Sequence, residues 1–187
     1  MTLQRTRNGI CRLLVAVSCL LLGACASLPP EAPAKQSATL TFILVPHADT
    51  MDDLLDDPPL SSAGQQRAQA LNAMLAGRDL AAVYVDEFRA TQDTVLPTLE
   101  ARPGLTPQRY FSRGPLDETA RQWLQRFDTG TVLVVGEPAS IAPLADTLCD
   151  CRVRPLRADE TDRLIRVDRV AAGSPHADDG RYGGQLP

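Results

Sequence analysis

The sequence predicts an α/β domain, a three-layer αβα sandwich with a mainly parallel sheet. Short β-branched apolar runs alternate with helical stretches along the chain, the pattern of strands connected through crossover helices. The 187 residues allow one domain of ordinary size. A composition of 44% hydrophobic and 22% charged residues is that of a globular protein and excludes collagen-like and wholly disordered chains.

The N-terminus is set aside first as a targeting segment. Arg5, Arg7 and Arg12 precede the apolar run Leu13 to Leu22, which is too short to span a bilayer comfortably. The run ends in Leu22-Gly23-Ala24-Cys25, which resembles the lipobox of bacterial lipoproteins. Residues 1–24 are therefore expected to be a signal peptide, with Cys25 lipidated. Residues 26–38 are rich in Pro, Ala and Ser, so 25–38 is expected to be the lipidated cysteine and a flexible linker. Alanine after Cys25 favours the outer membrane by the same resemblance, which places the domain in the cell envelope, on the periplasmic face.

The domain is expected over 39–187. Thr39 to Val45 reads as a buried strand. A helix opens at Leu60–Gly64, with Ser61 as N-cap, and ends at Gly77. Leu80 to Val85 is a second strand, followed by a helix from Arg89 to Glu100. From Pro115 to Phe127, Leu116, Ala120, Trp123, Leu124 and Phe127 form one helical face. Thr131 to Val135 is the third clear strand. Pro143 suits the first turn of a helix running to about Cys149. Leu164 to Val170 reads as a last strand, and the Gly-, Pro- and Asp-rich tail from about 171 as irregular.

Charge narrows the function. Removing residues 1–24 leaves 16 basic and 23 acidic residues, a poor basis for nucleic-acid binding. Of five cysteines only Cys149 and Cys151 fall in the domain. They stand either as a bonded pair, which an oxidising compartment allows, or as two free thiols. No Gly-rich phosphate loop occurs, and no metal or cofactor is expected. In a parallel sheet functional residues lie just beyond the carboxyl ends of strands. His47-Ala48-Asp49 and Gly136-Glu137-Pro138 occupy such places.

Phe42-Ile43-Leu44-Val45-Pro46-His47-Ala48-Asp49-Thr50 resembles the signature strand and loop of the histidine phosphatase superfamily, which has the phosphoglycerate mutase-like fold. Leu60 to Ala68 (LSSAGQQRA) is similar to the family's Leu-Ser/Thr-x-x-Gly-x-x-Arg-Ala landmark. Tyr84 to Thr94 resembles Tyr-x-Ser-x-x-x-Arg-Thr-x-Gln-Thr, and Val132 to Glu137 resembles the strand ending in Gly-His. Arg181-Tyr182-Gly183 looks like a tail of small bacterial members. In the family, a histidine attacks phosphorus, two arginines and a second histidine hold the phosphoryl oxygens, and a carboxylic acid protonates the leaving group.

The resemblance makes His47 the nucleophile position. The other positions depart from the pattern: Pro46 stands for one arginine, Glu137 for the second histidine and, without a gap, Ala90 for the other arginine. A one-residue gap would substitute Arg89, at the expense of the Thr94 match. Fixed positive donors are what a transferring phosphoryl group needs. The expectation is a lipid-anchored, non-catalytic or strongly impaired member with a binding or structural role, its partner the membrane through Cys25. One alternative is an active periplasmic phosphomonoesterase or phosphohistidine phosphatase acting on a small phosphorylated ligand, with His47 as nucleophile and Arg89 as phosphate holder. A second is a remodelled cation site of His47, Asp49, Asp86 and Glu137. His176, the remaining histidine, has no motif around it and is expected to be exposed.

Overall fold

The computed structural model describes residues 39–51, 56–171 and 173–183. The expected signal peptide, Cys25 and the linker lie outside the described residues. Ten elements follow in order: β1 (Thr39–Pro46), α1 (Ser62–Met74), β2 (Leu80–Val85), α2 (Arg89–Glu100), β3 (Pro107–Arg109), α3 (Leu116–Arg126), β4 (Gly130–Gly136), α4 (Pro138–Cys149), β5 (Arg163–Val170) and β6 (His176–Arg181). The sheet order is β3-β2-β4-β1-β5-β6.

Side chains alternate across the sheet with a period of two, and each face is covered by a helix pair. Phe42, Leu44, Tyr84, Val132, Val134, Ile165 and Val167 face α3 and α4, where Trp123, Ile141, Leu144 and Leu148 pack on them. Ile43, Val45, Val83, Val85, Leu133 and Val135 face the other way, against Leu71, Leu75 and Val95 of α1 and α2. Burying each such aliphatic or aromatic side chain contributes about 1.5–3 kcal/mol, so this alternation decides the register. The three layers and the α/β class are those the sequence predicts.

Three expectations are corrected, and one further strand appears. The sheet is parallel only from β3 to β1; β5 pairs antiparallel with β1, and β6 antiparallel with β5. The tail is not irregular throughout, since His176–Arg181 forms β6. Its side chains are mostly exposed, so it carries no apolar alternation to read. Pro107–Arg109 is a three-residue edge strand without an apolar signal. Pro143 lies inside α4, and Pro138 occupies the first turn instead. There its fixed φ costs nothing, because that N–H has no helical partner to lose. Cys149 and Cys151, left open by the sequence, are joined by a disulfide.

Strands β1 and β4 are neighbours, in register from Leu40–Gly130 to Pro46–Gly136. The chain leaves β1 through α1 towards β2, and leaves β4 through α4 towards β5, on opposite sides. The carboxyl ends of β1 and β4 therefore form the switch point where α/β sheets open a crevice.

Candidate functional site at the carboxyl ends of β1 and β4

His47 and Glu137 each follow the registered pair Pro46–Gly136 by one residue, which places them side by side. The His47 N–H donates to the Gly136 carbonyl at 2.9 Å, fixing the loop to β4. His47 Nδ1 lies 2.9 Å from the Ala48 carbonyl. A carbonyl can only accept, so Nδ1 carries the proton. In the neutral ring the lone pair is then on Nε2, which faces Glu137 Oε1 at 3.8 Å. The His47 side chain is 14% exposed and that of Glu137 37%.

Beneath them lies a tightly bonded floor. The Ala48 N–H donates to Thr94 Oγ1 at 2.9 Å, and Thr94 Oγ1 donates to the Ala90 carbonyl at 2.7 Å. Arg67 Nε donates to Asp49 Oδ2 at 2.7 Å, and Thr161 Oγ1 donates to Asp49 Oδ1 at 3.0 Å. Burial would push the Asp49 carboxyl up, but these bonds and its backbone contact outweigh it and hold it below the ordinary carboxylate value. Ser61 caps α1 by accepting from the Gly64 N–H at 3.1 Å. Position 64 must be glycine, since a Cβ there would stand 2.0 Å from the Asp49 carbonyl oxygen. Tyr182, from the tail motif, is buried here; its carbonyl accepts from Arg67 at 3.5 Å and its hydroxyl donates to the Pro46 carbonyl at 3.4 Å.

Asp86 is fully buried at the end of β2. It accepts from the Phe88 N–H at 3.0 Å, from Thr91 Oγ1 at 2.5 Å and from the Glu137 N–H at 2.8 Å. Burial still pushes its carboxyl above the ordinary value. Asp86 thus ties β2, α2 and β4 together beneath the site.

The mouth is a cleft of about 770 Å³. His47, Ala90 and Glu137 line it together with Thr50, Phe88, Leu156 and Ala158. Its charged walls, among the described residues, are four carboxylates, Asp56, Asp57, Glu137 and Asp159, against one guanidinium, Arg113. The Arg113 guanidinium sits 5.4 Å from the Phe88 ring centroid. Glu137 is pushed above the ordinary value, first by burial and then by the charges of Asp86 and Glu87, against the pull of His47 and Arg113.

Among the residues singled out from sequence, the cleft gathers His47, Ala90 and Glu137. Pro46 is buried at the end of β1 and does not line it. The Arg89 N–H donates to Asp57 Oδ1 at 2.8 Å at the edge of the cleft, but its side chain turns away: its Nε is 3.4 Å from Asp93, and it lines a separate groove between α1 and α2. The expected cation quartet does not assemble, because Asp49 is held by Arg67 and Asp86 by three donors. Among the described residues no three His, Cys, Asp or Glu side chains are grouped to hold a metal ion. His176 is exposed, as expected, and pairs with Asp178 at 2.9 Å. Arg113, Asp56, Asp57 and Asp159 were not legible as site residues. They come from loops without periodicity, and Arg113 follows the strand the sequence did not reveal.

No family model and no curated protein sequence matches the chain. Its fold is similar to solved structures of phosphatases. With the protein histidine phosphatase SixA complexed with tungstate, the TM-score is 0.61 at 17% identity, covering 76% of this chain and 97% of that one. With phosphoserine phosphatase from Entamoeba histolytica in complex with 3-phosphoglyceric acid, it is 0.56 at 13% identity, covering 78% and 98%. With mycobacterial glucosyl-3-phosphoglycerate phosphatase, it is 0.55 at 14% identity, covering 75% and 97%. The chain has the histidine phosphatase fold, also called phosphoglycerate mutase-like. At these identities the likeness is one of fold.

Proposed function

We propose that this protein is a non-catalytic relative of the histidine phosphatases, a lipid-anchored envelope protein whose cleft binds without turning over phosphate esters. The observation that carries the reading is the charge of the cleft. A phosphoryl group in flight is anionic and needs fixed positive donors around it. Here Nε2 of His47 faces a carboxylate, and among the described residues one arginine stands against four acids. A unit charge 4 Å away is worth about 4 kcal/mol at an effective dielectric of 20, and less at a partly exposed mouth. Even so discounted, ionised Glu137 opposes the charge that a catalytic pocket must favour. Such a cleft suits a neutral or positively charged group. The anchor rests on Arg5 to Cys25 of the sequence.

The test is a hydrolysis screen with para-nitrophenyl phosphate and a phosphohistidine peptide at neutral pH. No turnover above that of His47→Ala is expected. Robust turnover that disappears in His47→Ala would overturn the reading. Cys25→Ser should release or mislocalise the protein, and a wild type that fractionates as soluble would defeat the anchor.

One observation favours a second reading, an active phosphomonoesterase. The Nδ1–H bond to Ala48 leaves the Nε2 lone pair free for attack, with Arg113 in the cleft to hold one oxygen. In that case both His47→Ala and Arg113→Ala abolish turnover.

A further inference from the structure

Cys149 and Cys151 lie outside everything described so far. Cys149 is the last residue of α4, whose first residue follows Glu137. Twelve residues of helix rise by about 18 Å, so the pair stands at the far end of α4 from the cleft. We propose that the Cys149–Cys151 disulfide is a thiol–disulfide exchange site whose substrate is a dithiol.

Two features separate it from a structural crosslink. First, it spans a sequence separation of two, so Asp150 alone lies between the cysteines. A bridge restrains the unfolded chain less the shorter its loop. It also repeats a restraint already present. The Cys151 N–H donates to the Asp146 carbonyl at 3.2 Å, and the Val153 N–H to Asp146 Oδ1 at 2.6 Å, so the chain leaving α4 is held without it.

Second, the two sulfurs are unequal. Cys149 is 2% exposed, packed in the core beside Leu148, whereas Cys151 is exposed. An incoming thiolate therefore reaches Cys151.

The exchange proceeds in two displacements. A substrate thiolate attacks Cys151 Sγ; the substrate–Cys151 bond forms, the Cys149–Cys151 bond breaks, and Cys149 leaves as a thiolate that takes up a proton. The second substrate thiolate attacks its partner sulfur, closes the substrate disulfide and expels Cys151, which is protonated in turn. Two electrons and two protons pass from the dithiol to the protein.

The test uses the full-length protein in glutathione buffers of graded composition and with dithiothreitol as the dithiol. Acid quenching, alkylation and peptide mass mapping follow the peptide that carries Cys149 and Cys151 separately from any cysteine of residues 1–25. The pair should be reduced at a poise that leaves long-loop structural disulfides oxidised, with the far-UV circular dichroism unchanged. With oxidised glutathione, Cys149→Ala should accumulate a mixed disulfide on Cys151. Cys149 in Cys151→Ala should react at least about tenfold more slowly, because it is shielded. A pair that stays bonded in every buffer, a domain that unfolds on reduction, or a Cys149 that reacts as fast as Cys151 would overturn the assignment.

Discussion

The floor and the mouth of the cleft are built differently. The floor is tied by hydrogen bonds that shape the loop after β1: Arg67 to Asp49, Gly64 to Ser61, and Ala48 to Thr94. The mouth holds His47 by its orienting bond and surrounds it with carboxylates. The difference teaches that one site contains two kinds of residue. One kind sets the backbone path and is required by packing. The other sets the charge of the cleft and bears little on the fold.

The sharpest way to break this comparison is to damage the floor. Arg67→Ala leaves Asp49 beside a buried gap without its guanidinium, and unfolding by urea should show a loss of about 3 kcal/mol. A loss below about 0.5 kcal/mol would mean that the floor is not what holds the loop. Gly64→Ala should cost about 2–3 kcal/mol, since the new Cβ meets backbone that cannot yield cheaply.

At the mouth the effects should be smaller and pH-dependent. Glu137→Gln should change stability by no more than about 1 kcal/mol at neutral pH. Its sign follows from linkage. The folded state raises the Glu137 carboxyl above its ordinary value of 4.5, so the wild type loses stability as pH rises through the raised value. The Gln variant is spared that loss, so its advantage should grow with rising pH and vanish below about 4. An advantage that grows as pH falls would contradict the environment assigned to Glu137.

The wall carrying Leu156 and Asp159 gives the most local effect. Glu160 accepts from Arg154 at 2.7 and 2.8 Å and from the Arg157 N–H at 2.8 Å, and its carboxyl is held down at about 2. The stabilisation is full above the ordinary 4.5 and is lost as pH falls towards 2. Hydrogen exchange in 154–163 should therefore rise selectively with acid, and Glu160→Gln should flatten that dependence.

What the sequence disclosed follows the same division. Buried strands such as Thr39–Val45 and Thr131–Val135 declare themselves because both faces demand apolar residues. β3 and β6 stayed hidden because edge strands need only backbone bonds, which leave no trace in side-chain type. The juxtaposition of His47, Ala90 and Glu137 was legible through the landmarks, since each landmark ends a strand or begins a helix at the switch point. Arg113, Asp56, Asp57 and Asp159 were not, because loop residues reach the cleft by tertiary folding alone. The resemblance also offered Arg89 as a phosphate holder, and only the helix phase of α2 turns it towards Asp93 and the neighbouring groove.

The most direct measurement is oxyanion binding by calorimetry, with phosphate and vanadate, to the wild type and to Ala90→Arg/Glu137→His, the two changed positions that line the cleft. Ala90 is buried beside Ala48, Leu60 and Ala68, so the folded state of the variant is checked first by circular dichroism. Single changes should do far less than the pair, because groups that act together are not additive. The account predicts no measurable binding to the wild type and binding to the folded double variant. Oxyanion binding to the wild type that is lost in His47→Ala, or a folded double variant that binds none, would contradict the claim that charge at the mouth decides what this cleft accepts.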